Sequence, residues 1–160
     1  MRRSRSGGFT LMELLVVVAV IAILAAIAIA NYVTGLQRAR QKRTMADIRT
    51  IASAWEARAT ETKGYSAAGF TFPTQPVTYV QLQAVLVPTY ANPLPQFDGW
   101  ARAFEFATDQ AWGSQTAQAY AIRSGGSDGF DGSTYTNGPT DAFECDIVYA
   151  NGSFVTYPSK

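Results

Sequence analysis

An α+β fold is what this sequence predicts: one long N-terminal helix over about residues 9–63, then a small antiparallel sheet in the C-terminal part. Three observations point to it. From Leu14 to Ala30 no side chain is polar, close to the ~20 apolar residues a helix needs to cross a bilayer core. Further on, Ile48, Ile51, Ala52, Trp55 and Ala59 recur at spacings of three and four, with polar residues between them, which is the pattern of a helix with one buried stripe. Near the end, Ile147 to Ala150 and Ser153 to Tyr157 are β-prone runs on either side of Asn151-Gly152, the strongest short hairpin cue.

The N-terminal segment carries the first chemistry. Phe9 to Ala30 is interrupted only by Thr10 and Glu13. A carboxylate at the centre of a membrane helix costs about 2.5 to 3.5 kcal/mol, less near the interface, and it marks a functional site with a partner. Glu13 therefore calls for a positive charge. Arg2, Arg3 and Arg5 precede the apolar run, which by the positive-inside tendency keeps the short N-terminus in the cytoplasm and sends the rest of the chain across. A cut between Gly8 and Phe9 would expose a free amine on Phe9, four residues before Glu13 on the same helix face. A neighbouring subunit can offer that amine to Glu13.

Arg5-Ser6-Gly7-Gly8 followed by Phe9-Thr10-Leu11-Met12-Glu13-Leu14 and an apolar run closely resembles the class III signal of type IV prepilins and type II secretion pseudopilins. The resemblance implies a pilin-like fold. It also implies a membrane peptidase that cleaves after Gly8 and N-methylates Phe9, with Glu13 steering assembly into a helical filament. The rival reading is an ordinary secretory signal peptide ending in Ala28-Ile29-Ala30. Such signals have apolar regions of about 7 to 15 residues and no acid, so an intact mass beginning at Asn31, rather than at Phe9, would be needed to sustain it.

Composition narrows the function further. The chain has 160 residues and a formal charge of +1, with 13 basic residues against 12 acids. Loss of Arg2, Arg3 and Arg5 with the leader leaves 10 basic residues, so the mature chain is at −2. That balance argues against nucleic acid as a partner. The charge is unevenly placed: residues 36–63 carry seven Lys or Arg and three acids, and residues 101–160 three basic residues and seven acids. Such a division suits the stacking of one copy against the next, although a basic cluster beside a membrane helix also suits lipid headgroups. There is no histidine, and Cys145 is the one cysteine. Histidine triads and intrachain disulfides are excluded, and Cys145 is expected to be a buried small hydrophobe.

In chain order, residues 1–8 are the leader, 9–30 the membrane and filament-core helix, 31–63 the amphipathic continuation and 64–160 the C-terminal α+β part. The stretch 31–43 is more polar and contains Gly35, where bending or loosening is expected. Ala30 stands where the family usually has proline. Thr62-Lys63-Gly64 is a helix stop. Residues 66–78 read as a loop. Tyr79 to Val87 reads as a short helix capped by Thr78 and ended by Pro88. Strands are expected over 103–107 and 119–123. Gly64-Tyr65, and Leu94-Pro95 before Asp98-Gly99-Trp100, resemble the G-type (major) pseudopilins of type II secretion, without the prolines usual after that Tyr and beside that Trp.

Between the second strand and the hairpin lie Ser124-Gly-Gly-Ser-Asp128-Gly-Phe-Asp131 and Asp141-Ala-Phe-Glu144-Cys-Asp146. Five carboxylates within nineteen residues, among glycines, can converge oxygens on Ca2+, which takes about 6 to 8 of them. Equally, Asp-Gly pairs make solvated turns. The resemblance to G-type pseudopilins tips this reading towards a structural Ca2+ held by Asp128 and Asp146, with Asp131 and Glu144 next.

The resemblance as a whole implies a non-enzymatic subunit of the periplasmic pseudopilus of a type II secretion system; the alternative is a type IV pilin of a surface pilus used in adhesion, twitching or DNA uptake. Its implied partners are further copies of itself through the N-terminal helices, the prepilin peptidase and N-methyltransferase, an inner-membrane assembly platform and other pseudopilins. Before assembly the chain would be a single-pass protein of the bacterial inner membrane with a periplasmic C-terminus. No nucleophile-base pair or cofactor loop argues for an enzyme.

Overall fold

In the computed structural model, which describes residues 8–62, 75–112, 117–130 and 138–159, the chain forms two helices and six strands. Helix α1 (Leu11–Thr62) is followed by β1 (Gln75–Val77), α2 (Tyr79–Leu86), β2 (Glu105–Thr108), β3 (Tyr120–Ser124), β4 (Gly138–Thr140), β5 (Ile147–Ala150) and β6 (Ser153–Pro158). The predicted stop at Lys63 and Gly64 lies outside the described residues. All of 31–43 is helical, Gly35 included. The chain divides into two compact units, Met1–Leu36 and Gln37–Lys160.

In the first unit every residue from 8 to 33 is exposed. Leu15, Val18, Ile21, Leu24 and Ile27 each leave at least half their surface uncovered. Burying one such side chain is worth about 1.5 to 3 kcal/mol, so a run of them demands lipid or protein around it. The helix is long and apolar enough to cross a membrane.

The second unit holds the core. Ile48, Ile51, Ala52 and Trp55 of α1 pack with Leu82 and Leu86 of α2, with Phe104, and with Phe106, Tyr120, Ile122 and Ile147 from the sheet. Trp55 is the core residue its spacing predicts, with its ring 4.8 Å from that of Tyr120 and edge-on to Phe106 at 6.4 Å. Tyr120 also donates a hydrogen bond to Glu56. On the same helix Glu61 accepts a hydrogen bond from Tyr90, which pushes the Tyr90 phenol above its usual pKa.

The sheet runs in the order β1-β2-β3-β5-β6-β4. Its pairs are antiparallel except β4 with β6, which is parallel. The all-antiparallel expectation is corrected at that pair. The hairpin falls where Asn151-Gly152 places it, with φ of 48° and 92°, both positive as a two-residue type I′ turn requires. Helix α2 has the expected cap: Gln81 N donates to Thr78 Oγ1 at 3.3 Å, and Thr78 N to Gln81 Oε1 at 2.9 Å. Strands β1 and β4 were not expected: β1 falls at the end of the stretch read as a loop, and each of the two contains a proline, Pro76 and Pro139. Each is outermost among the described strands, where a missing N–H is tolerated.

Candidate functional site

The site at the N-terminus begins with the cap of α1. Thr10 N and Thr10 Oγ1 both donate to Glu13 Oε2 at 2.9 Å, and Glu13 N donates back to Thr10 Oγ1 at 3.2 Å. This is a capping box, in which side chains three apart satisfy donors that the first helical turn leaves open. The spacing Thr10-x-x-Glu13 was the available signal, overlooked because Glu13 was read against the membrane alone. The acid also lies in the first turn, where the helix dipole favours negative charge. Glu13 is thus fixed by Thr10 within its own chain and remains exposed. Phe9 and Gly8, on either side of the predicted cut, precede the helix and are exposed. A membrane-anchored precursor that later enters a filament fits this arrangement.

The second constellation surrounds Asp98, which is 2% exposed. Its Oδ1 accepts from Trp100 N and Arg102 N, both at 2.9 Å, and its Oδ2 accepts from Ser124 Oγ at 2.6 Å. Asp98 N donates to Arg102 O at 2.8 Å, closing a turn in which Ala101 takes φ 62°. That left-handed conformation costs a residue with a Cβ roughly 1 to 2 kcal/mol, and the Asp98 bonds offset it. The turn is pressed onto α1: Gly99 N donates to Thr44 Oγ1 at 2.9 Å and Trp100 Nε1 to Gln37 Oε1 at 2.6 Å. A Cβ on Gly99 would overlap the backbone carbonyl of Arg40. Gly99→Ala is therefore expected to lift the turn from the helix and cost about 1 to 3 kcal/mol, read as a lowered unfolding midpoint with wild-type cleavage retained.

The candidate calcium ligands follow this turn. Asp128 is exposed and its Oδ1 accepts from Phe130 N at 3.2 Å. Glu144 is exposed, Asp146 is buried and already partnered, and Asp131 lies outside the described residues. The structure does bring the two segments together: Ser127 N donates to Phe143 O at 2.9 Å. Among the described residues, however, no three acidic, cysteine or histidine side chains converge. The Arg102 guanidinium lies against this loop, with Nη1 donating to Gly126 O at 3.2 Å. A carbonyl already bonded to a fixed positive charge is a poor ligand for Ca2+, so the described donors do not fit that ion. Cys145 is half-buried rather than buried.

The comparisons agree with the N-terminal reading. The family model described as the prokaryotic N-terminal methylation motif matches residues 3–29. No curated protein and no solved structure is significantly similar to the chain. The match spans Gly8, Phe9 and Glu13 together with most of the apolar run. By motif and by match, residues 3–29 are a prepilin-type signal of the kind that type IV pilin-like proteins carry.

Proposed function

We propose that this chain is a structural subunit of the periplasmic pseudopilus of a type II secretion system, and that it works by assembly without turning over a substrate. The observation that carries the reading is Glu13, capped and exposed at the head of an uncovered apolar helix that begins just beyond the predicted cut. Cleavage after Gly8 frees the Phe9 amine. That amine compensates Glu13 of the preceding subunit, a charge that hydrocarbon would otherwise penalise, and so sets the axial register of the incoming helix. The apolar residues of α1 then exchange lipid for other copies of α1.

Charge in the C-terminal unit supports stacking. Arg38, Lys42, Arg43 and Arg49 are exposed on α1, and Glu105, Asp109, Asp128, Asp141 and Glu144 are exposed beyond it. One copy thus presents basic residues where the next can present acids. A single cysteine, which rules out the intrachain disulfide that closes a C-terminal loop in many adhesive pilins, favours the secretion fibre over a surface pilus.

The test is deletion of the gene, followed by comparison of enzymes held in the periplasm with those in the medium. Retention restored by complementation supports the secretion pseudopilus. Normal secretion with loss of surface fibres or twitching would replace it by a type IV pilin. A mature mass that does not begin at Phe9 would sink both.

A further inference from the structure

We propose that the Arg102 guanidinium is the resident cation of the 124–130 loop and cross-links it in place of a bound metal ion. The loop is tightly wound: Gly129 N donates to Gly125 O at 2.8 Å, and Gly126 and Gly129 take φ of 60° and 72°. It is also packed on the second acidic segment, since a Cβ on Gly126 would come within 2.9 Å of the carbonyl oxygens of Glu144 and Cys145. A carbonyl in so tight a loop, that of Gly126, calls for a donor or a cation.

Arg102 supplies both. Its Nη1 donates to Gly126 O at 3.2 Å, and its guanidinium lies over the Cα of Gly129, in the space where any side chain at that position would begin. The group is planar, permanently charged and carries five donors. Its placement is not left to a flexible arm alone. Asp98 holds the Arg102 main chain through Oδ1 and the first turn of the loop through Ser124 and Oδ2. One carboxylate therefore anchors both the base of the arginine and the start of the loop it reaches. A divalent ion in the same place would be repelled by the guanidinium and would have to displace it from Gly126 O.

This assignment holds whether the filament is a pseudopilus or a pilus, and it is tested on the full chain in detergent. Unfolding would be followed by tryptophan fluorescence in millimolar Ca2+ and in chelator, and Ca2+ binding measured by equilibrium dialysis. The expected result is one midpoint in both conditions and no stoichiometric Ca2+. Arg102→Met keeps the stem and removes the charge and donors; it is expected to lower the midpoint by about 5 °C or more and to speed amide exchange at Ser127 and Gly129. Arg102→Lys is expected to recover part of the loss. A wild-type midpoint that rises with Ca2+ and one bound equivalent would overturn the proposal, as would an Arg102→Met chain with wild-type melting and exchange.

Discussion

Glu13→Ala is expected to leave cleavage after Gly8 intact and to abolish filaments. The predicted cut lies before helix α1, between two exposed residues, Gly8 and Phe9. On the proposed function assembly does use the carboxylate, because each added subunit would otherwise bring an uncompensated ammonium against apolar helices. A charge so placed costs about 2.5 to 3.5 kcal/mol, which is on the order of 100-fold in the affinity of each addition. A polymer compounds that loss at every step. Glu13 also accepts two bonds from Thr10, so the alanine variant removes a cap worth roughly 1 kcal/mol as well. Glu13→Gln separates the two roles, since the amide oxygen can still accept from Thr10 while the charge is gone. The measurement is sheared fibre quantified against processed subunit in membranes. Wild-type fibre from either variant would contradict the charge mechanism, whereas fibre from Glu13→Gln alone would reduce Glu13 to a helix cap.

Asp98→Ala is expected to destabilise the C-terminal unit as much as truncation of a core side chain would. It strips the acceptors from Trp100 N, Arg102 N and the Ser124 hydroxyl, all in or beside a buried turn. Each donor left unpaired costs about 1 to 3 kcal/mol, and partial relaxation brings the sum to roughly 3 to 5 kcal/mol. Against a total stability of about 5 to 15 kcal/mol, that is a large fraction. Tryptophan fluorescence is the suitable probe, because Trp55 sits in the core and Trp100 on the turn itself. Asp98→Asn keeps one acceptor oxygen and should fall between alanine and wild type. A midpoint within about 3 °C of wild type for Asp98→Ala would show that the carboxylate does not hold the turn.

These two residues mark the range of what the sequence discloses. Glu13 was legible because its signal is local: an acid at a fixed offset from two glycines, ahead of an apolar run. The helical stripe through Trp55, the Thr78 cap and the Asn151-Gly152 turn were legible for the same reason. Asp98 was noticed only as part of a turn resembling a family signature. Its partner Ser124 lies 26 residues away, and no short spacing encodes that. Strands β1 and β4 were missed because local preference and position in the sheet disagree: proline argues against a strand until the strand is known to be outermost. The clustering of acids in the 128–146 region does not become convergence of side chains among the described residues, and Asp131 lies outside them. Arg102, the group that does face that loop, lies far from it in sequence and carried no motif.

The prolines of the outermost strands bear on how such a chain can be stored. A chain with an apolar helix and, among its described residues, a sheet of six strands has two ways to polymerise: through helices laid side by side, or through sheet borders joined ladder to ladder. The second needs unpaired N–H groups along a border. Pro76 removes one from β1 and Pro139 one from β4, on strands of only three residues each. Both borders are therefore poor templates for a further strand. Among the described residues the sheet offers amyloid-like stacking little purchase, and on the proposed function association falls to the helix, under the control of a single proteolytic cut.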